Sequence, residues 1–478
     1  MNCLQRYILV LTCLLTLNIT SKAEAGKLVE KPRVIVTTDG EADDRASMVR
    51  FLLSSNEFDI EGIINSSSQF HWVGGEGWNA FHNVSWIKEY IEQYSKVYEN
   101  LRLHDPDYPS PDFLLSKWKV GNINGTGEDS IRTDGAKLIA RVLLDSSDTR
   151  PVWIQAWGGC NTISRALKII QEDHPERMTE AATKMRLFLI WEQDETYQDY
   201  IRPVWESYNM PVIISDQFDC MAYIWPKVLP EEVKKIFRAG WMTENIISGH
   251  GPLCDLYENN NGAFNAEGDT PSFLHAVPNG LRSMDCPGYG GWGGRYVLVR
   301  NNVWMDPLPD SAYTYPEGRW GFHNSWSKKM EHDTSQEMIA IRTSYFKPIW
   351  RWLDDVQNDF AARADWCVKD YASANHHPVV ILKNTPLVLT AKAGSKLKLD
   401  ASLSTDPDSD QLSFTWWNYS EAGSYKGKII PDASTAKTKV NIPKDALPGE
   451  TIHMICEVSD DGIPSLTRYQ RVIITITE

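Results

Sequence analysis

The 478-residue sequence lacks the marks of several common protein classes, and each shortage limits what the chain can be. It has no Cys-x-x-Cys motif, so neither a zinc ribbon nor a thioredoxin-like redox site is expected. Its 48 Lys and Arg are outnumbered by 63 Asp and Glu, and the net charge of −15 disfavours nucleic acids and anionic membranes as partners. Beyond residue 19, no apolar run approaches the roughly 18 residues of a membrane-spanning helix.

The N-terminus carries an export pattern. Arg6 precedes a short apolar run at residues 7–19, and Ala23-Glu24-Ala25 precedes Gly26. This pattern predicts a secretory signal peptide at residues 1–25. We therefore expect an exported protein, periplasmic or extracellular. Its six remaining cysteines are widely spaced, which predicts mostly buried thiols and leaves a Cys254–Cys286 bridge open.

Apolar strands alternate with amphipathic helical stretches through most of the chain. The predicted strands are residues 33–38, 59–66, 152–157, 185–191 and 211–215. The predicted helices are residues 43–54, 79–96, 129–145, 160–172 and 197–208. This alternation predicts a doubly wound α/β domain with a mostly parallel sheet over residues 26–370. In such sheets, ligands bind at the carboxyl ends of the strands.

Two later regions differ from this pattern. Residues 243–335 are rich in Gly, Asn, Pro and aromatic residues, which indicates functional loops, and a helix at 335–360 is expected to close the domain. Residues 376–478 show short alternating strands and predict a small all-β sandwich. Asp406, Asp408 and Asp410 alternate there as in an EF-hand loop. Gln411 and Trp417 replace the Gly and Glu of that loop, so a solvated turn is expected.

Three acids follow the first predicted strand, in "RVIVTTDGEADDRASMVRFLL". Asp39 lies at the strand tip, and Asp43 and Asp44 open the next helix. Helix capping would explain one or two of them. It would not explain Asp39, because unpaired carboxylates brought together repel one another. A calcium ion, which prefers several oxygen ligands, would account for all three.

The segment D-x-x-x-D-D after a buried strand resembles the calcium site of the inosine-uridine-preferring nucleoside hydrolases. Further blocks are similar in the same order, namely "EGIINSSSQ", "IQAWGGCNTISRAL", "WEQDETYQDY" and "EGDTPSFL". The resemblance implies a calcium site formed by Asp39, Asp43, Asp44, the Trp157 carbonyl and Asp269. It also implies sugar contacts by Gln69, Glu192, Gln193 and Asp194.

The stretch "RFLLSSNEFDIEGII" and the C-terminal tail resemble more closely the secreted, nucleoside-hydrolase-like proteins described as cellulose-binding. The tail itself, with "LDASLSTDPDSDQLSFTWW" and "EVSDDG", resembles PKD or immunoglobulin-like modules.

The chain departs from nucleoside hydrolases at three places. Thr37 replaces an Asp, Gly40-Glu41 replaces Pro-Gly, and Gly268 stands where some members have a His that protonates the leaving base. The leaving-group chemistry is therefore expected to differ. His71, His82 and His250 are candidate acids, each of which is also an ordinary surface or core histidine.

We interpret the chain as a calcium-dependent glycosyl hydrolase acting on a carbohydrate or nucleoside-like substrate. Asp39 would accept the proton of the attacking water, and Asp43 and Asp44 would orient the metal and the water. His71 is a further contact, and Trp72 or Trp292 would stack on the sugar.

Two alternatives remain open from the sequence. In the first, the protein binds polysaccharide without turnover and the metal is structural. In the second, it is an inert scaffold whose acids only cap a helix. The oligomeric state is not predicted.

Overall fold

The computed structural model describes residues 30–81, 83–309, 314–431 and 434–478. The predicted signal peptide and His82 lie outside these ranges. Within them, no helix is long and apolar enough to cross a lipid bilayer. Five cysteines in these ranges are buried free thiols, and Cys254 is one of them, so the Cys254–Cys286 bridge is not formed.

Four sheets contain the sixteen strands of the described chain. The strands are β1 Arg33–Thr38, β2 Asp59–Asn65, β3 Trp118–Val120, β4 Val152–Ala156, β5 Met185–Ile190, β6 Val212–Ser215, β7 Asn259–Asn260, β8 Ala263–Phe264, β9 Val297–Arg300, β10 Val303–Met305, β11 Val388–Lys392, β12 Lys396–Asp400, β13 Ser413–Asn418, β14 Lys437–Asn441, β15 Thr451–Ser459 and β16 Thr467–Thr477. The five predicted strands are all present, within two residues of the predicted ends.

The large sheet has the order β3-β2-β1-β4-β5-β6-β10-β9. Its strands run parallel except for β9, which pairs antiparallel with β10. β1 and β4 are fully buried, as expected for strands covered by helices on both faces. The chain leaves β1 toward one edge of the sheet and leaves β4 toward the other. The ends of these two strands therefore form the switch point at which doubly wound sheets bind ligands.

The helices flank this sheet. The α-helices are Ala42–Leu53, Trp86–Ser95, Tyr98–His104, Pro111–Lys117, Asp134–Leu144, Asn161–Asp173, Met178–Lys184, Arg202–Trp205, Trp225–Val228, Glu231–Lys234, Ala239–Met242, Thr270–Leu274, Trp326–Met330, Gln336–Trp350 and Leu353–Trp366. Two π-helices lie at Tyr197–Ile201 and Thr243–Ile247.

The predicted helix at 335–360 is wrong in one respect, because two helices occupy that region. Pro348 lies inside the first of them and cannot donate a backbone hydrogen bond, and this helix ends two residues later at Trp350. The second helix begins at Leu353. The loop-rich segment 243–335 also contains more structure than its composition predicts, since β9 and β10 extend the main sheet.

The C-terminal domain contains a four-stranded sheet, β11-β16-β15-β13, and the pair β12-β14. Strand β16 also contacts the first domain directly. The backbone N–H groups of Tyr469 and Arg471 donate to the carbonyls of Asn279 and Gly280. The buried Arg471 guanidinium donates to the carbonyls of Leu281, at 2.6 Å, and Gly290, at 2.8 Å. The two domains therefore share a packed interface.

Candidate functional site

The acidic cluster forms where β1 passes into the first helix. Gly40 has φ +79°, a conformation that turns the chain sharply after Asp39. This turn brings Glu41, Asp43 and Asp44 together, with carboxylate oxygens within 4.8 Å of one another. Asp39, Glu41 and His71 form a second such group. The helix N-terminus favours these acids, but one helix end cannot balance four of them.

Asp39 is fully buried, and neither of its oxygens makes a hydrogen bond within the described residues. Burial, followed by repulsion from Glu41, raises the pKa of Asp39 to about 8. Burial and the charge of Asp44 raise the pKa of Asp43 to about 7. Burial and mutual repulsion thus both disfavour the ionised forms of these carboxyl groups in the protein alone.

Asp269 reaches the same cluster from more than 200 residues away in the sequence. It precedes the helix Thr270–Leu274, is 2% exposed, and has an unpartnered Oδ2. Burial and the charges of Asp44, Asp43 and Asp39 hold its pKa well above the usual range. The structure therefore brings Asp39, Asp43, Asp44 and Asp269 near one another.

The donor set fits a hard cation. Several carboxylates, two of them with unpartnered buried oxygens, are the ligands that calcium prefers. The segment that follows β4 also passes close to Asp39. A Cβ atom added to Gly158 would lie 2.9 Å from Asp39 Cγ. The Trp157 carbonyl, the fifth predicted ligand, accepts a 2.6 Å hydrogen bond from Gln193 Nε2. It keeps a second lone pair for a cation.

A cavity of about 450 Å³ opens above this cluster, a volume suited to a sugar-sized ligand. Its floor is acidic and polar, with Glu41, Asp43, Asp44, Asp269, Gln69 and Gln193. Its walls are mostly aromatic, with Phe70, Trp78, Trp157, Trp191, Phe218, Tyr223, Phe322 and His323. Asp219 and Lys328 add a charged pair to one wall.

The predicted sugar contacts are only partly at this cavity. Gln69 and Gln193 line it. Glu192 accepts hydrogen bonds from the Trp320 backbone and from Gln198, and Asp194 accepts from the backbones of Asn161 and Thr196. These two carboxylates are outside the cavity lining. They hold the loop after β5 in place.

Trp292, predicted to stack on a sugar, is in the wrong place for that role. It is 1% exposed, and its Nε1 donates to the Tyr469 hydroxyl of the C-terminal domain at 3.2 Å. Trp72 is half-buried and is not part of the lining. Trp78, six residues later, is 67% exposed at the cavity and is the better-placed aromatic ring.

Two of the three candidate histidines lie among the described residues, and their surroundings differ. His71 Nδ1 lies 3.4 Å from Glu41 Oε1, and burial lowers its pKa. His250 is remote, with Nδ1 3.4 Å from Asp365. The sequence analysis missed Glu41 as a member of the cluster, although Glu41 lies between the acids that it identified. Asp219 and Lys328 gave no signal, because they come from separate and irregular segments.

Family comparison agrees with this geometry. Residues 33–296, more than half of the chain, match the nucleoside hydrolase-like domain of cellulose-binding Sde182, and residues 396–476 match the C-terminal domain of cellulose-binding protein Sde0182. No curated protein matches the sequence.

A solved structure from Saccharophagus degradans is 30% identical to this chain, with a TM-score of 0.74. The alignment covers 94% of this chain and 100% of that protein, which is described as nucleoside hydrolase-related and associated with carbohydrate metabolism. The effector protein XOO4466 is 9% identical, with a TM-score of 0.31 over 67% of this chain and 94% of that one. That similarity is too low to support any conclusion. From the two family matches and the full-length structural neighbour, the chain belongs to the cellulose-binding Sde182 family of nucleoside hydrolase-like proteins.

Proposed function

We propose that this protein is an exported, calcium-dependent glycosyl hydrolase that acts on carbohydrate. The observation that carries the proposal is that Glu41, Asp43, Asp44 and Asp269 line a sugar-sized cavity, with the buried Asp39 next to Glu41. Purely structural carboxylates are normally paired or hydrogen-bonded. Asp39 and Asp269, in contrast, retain unpartnered buried oxygens at a topological switch point. The family name and the carbohydrate association of the neighbour favour a carbohydrate ligand.

Each residue of the site has a chemical role in this proposal. Asp39, Asp43, Asp44, Asp269 and the Trp157 carbonyl would hold the calcium ion. Calcium bound there supplies positive charge that orients sugar hydroxyls and makes a nearby water more acidic. Asp39 accepts the proton of the water that attacks the anomeric carbon. From the cavity floor, Gln69 Nε2 donates to a sugar oxygen. Gln193 Oε1 accepts from a sugar hydroxyl, because Gln193 Nε2 already donates to the Trp157 and Ile190 carbonyls.

O-glycosides should be better substrates than nucleosides. A departing base needs a proton or a strong donor, and position 268 next to Asp269 is a glycine without a side chain. Losing one positioned acid costs about 10² to 10⁴ in rate. The aromatic walls, in contrast, suit the apolar faces of sugar rings.

The test is a sugar-release assay of inosine, uridine and plant and bacterial oligosaccharides, with calcium and with a chelator. Asp39→Asn should abolish release of the best substrate, and Asp255→Asn, on an exposed position, is the matched control. Efficient hydrolysis of inosine that depends on Asp39 would overturn the O-glycoside preference. Turnover that survives both the chelator and Asp39→Asn would overturn the proposed chemistry.

A second candidate function is polysaccharide binding without turnover. The highly exposed Trp78 at the cavity mouth favours it, because exposed aromatic rings form sugar-binding platforms. Under this alternative, Asp39→Asn would leave glycan affinity unchanged and no sugar would be released by the wild type.

A further inference from the structure

Lys328 is the only Lys or Arg among the described residues that line the cavity. Its Nζ lies 5.0 Å from the Phe322 ring centroid and 5.8 Å from that of Trp191. Its side chain is 17% exposed, so it is nearly enclosed but still reaches the cavity. The amine therefore lies beside two aromatic rings of the cavity that the acidic cluster also lines.

The surroundings of Lys328 balance its charge without occupying its hydrogens. Asp219 Oδ2 lies 3.7 Å from Nζ, and Glu331 Oε2 lies 3.8 Å away. Both distances exceed a hydrogen bond, and Nζ makes none within the described chain. The three N–H donors of this ammonium therefore have no acceptor among the described residues.

The backbone around Lys328 is held firmly. Ser325 caps the helix Trp326–Met330 by accepting from the Lys328 N–H at 3.2 Å. The N–H and hydroxyl of Ser327 donate to the buried Asp216. Asp216 also accepts from Trp191 Nε1, which ties this helix to the wall beneath the amine. Such anchoring is typical of a positioned group rather than of a solvated surface lysine.

Resting on the proposed glycosyl hydrolysis, we propose that Lys328 donates the proton to the leaving-group oxygen. Asp219 is its positioning residue, and the leaving group is a neutral, hydroxyl-bearing sugar. In the step, the bond from the anomeric carbon to the leaving oxygen breaks as the water oxygen bonds to that carbon. Asp39 takes the water proton, the leaving oxygen takes a proton from the Lys328 ammonium, and the resulting amine regains one from solvent.

The charges of the cavity select a neutral leaving group. Apart from Lys328, the lining carries five carboxyl groups, those of Glu41, Asp43, Asp44, Asp219 and Asp269. Lys328 already has two carboxylate neighbours, so a uronate or phosphate leaving group would meet net repulsion. A neutral glycosidic oxygen accepts a hydrogen bond from the amine without that cost.

Asp219 has the properties that its role requires. It is 1% exposed, and burial raises its pKa to about 7 although the Lys328 charge opposes this. A buried carboxyl group 3.7 Å from Nζ can hold the ammonium in position without occupying its hydrogens. Its contact with the substrate is indirect, through Lys328.

The test compares 4-nitrophenyl and methyl glycosides of the sugar that the release assay identifies. Nitrophenolate departs without a proton, whereas methoxide needs one. Lys328→Met should slow methyl glycoside hydrolysis at least 100-fold and nitrophenyl glycoside hydrolysis less than fivefold. Asp219→Asn should give the same leaving-group dependence with a smaller loss, and Lys328→Arg should restore part of the rate. Lys329→Met, the exposed neighbour, is the matched control.

Equal losses for both substrates, or no loss, would overturn the assignment of Lys328. The same pattern in His323→Gln, with Lys328→Met unaffected, would overturn it in favour of the neighbouring histidine. Asp39→Asn should slow both substrates alike, which separates failure of this inference from failure of the proposed function. If the wild type hydrolyses nothing, the proposed function falls and the proton-donor role falls with it.

Discussion

Gly268 and Asp43 are so close that a Cβ atom on residue 268 would lie 2.6 Å from Asp43 Oδ2. That Cβ atom would also lie 3.3 Å from two carbons of the Phe218 ring. A side chain at this position would therefore push against a carboxylate of the cluster. A glycine is therefore required at position 268 for steric reasons. It also leaves the position without a side chain that could protonate a leaving base.

Introducing a histidine at position 268 should consequently fail to create nucleoside hydrolase activity. We expect Gly268→His to lower calcium affinity and the melting temperature together, because Asp43 must move. Gly268→Ala should show a smaller effect in the same direction. Calorimetric calcium titration and thermal unfolding would measure both. Inosine hydrolysis gained by Gly268→His with intact calcium affinity would contradict this prediction.

Asp269 should contribute directly to calcium affinity. Asp269→Asn is expected to weaken binding at least tenfold, about 1.4 kcal/mol, by removing charge from the cluster. Asp285→Asn is the matched control, because Asp285 pairs with Arg282 at 2.6 Å and does not line the cavity. Equal calcium affinity in the two variants, measured by titration, would remove Asp269 from the site.

Trp78 should bind glycan without supporting the fold. Because its ring is 67% exposed, Trp78→Ala should leave the melting temperature unchanged. It should weaken oligosaccharide binding by about tenfold, or 1.4 kcal/mol, through loss of ring contact. Tyr208→Ala, at an exposed aromatic residue away from the cavity, should not change affinity. A Trp78→Ala variant that binds oligosaccharide normally would show that the sugar lies elsewhere.

His377 should make stability depend on pH. Its Nε2 lies 2.7 Å from Asp359 Oδ1, and burial, with Arg468, lowers its pKa to about 4. A histidine whose folded pKa is below its unfolded value of about 6.5 contributes fully above that pH. The contribution is lost as the pH falls from 6.5 through 4, by up to about 3 kcal/mol. His377→Gln should flatten the stability profile over this range, measured by urea unfolding.

The exposed His332 provides the control for that experiment. His332→Gln should keep the wild-type slope between pH 6.5 and pH 4. If His377→Gln and the wild type lose stability in parallel, another group is responsible for the acid sensitivity.

The strands and the acidic cluster could be predicted because local sequence determines them. Buried parallel strands are continuous apolar runs, and Asp39, Asp43 and Asp44 share one turn of chain. Lys328 and Asp219 could not be predicted, since only the folded arrangement brings their segments to one wall. Trp292 was misplaced because composition cannot distinguish an aromatic ring at a ligand site from one at a domain interface.

The hydrogen bonds between β16 and residues 279–281 have a consequence for the evolution of the two domains. Gly293, in the loop that Arg471 holds, leaves no room for a Cβ atom, which would lie 2.3 Å from the Pro271 carbonyl oxygen. The helix at Pro271 begins directly after Asp269. The C-terminal domain thus supports the geometry of an acid in the other domain. A relative without the C-terminal domain would need other contacts to hold its acidic cluster in the same arrangement. We therefore expect the two domains to be retained or lost together.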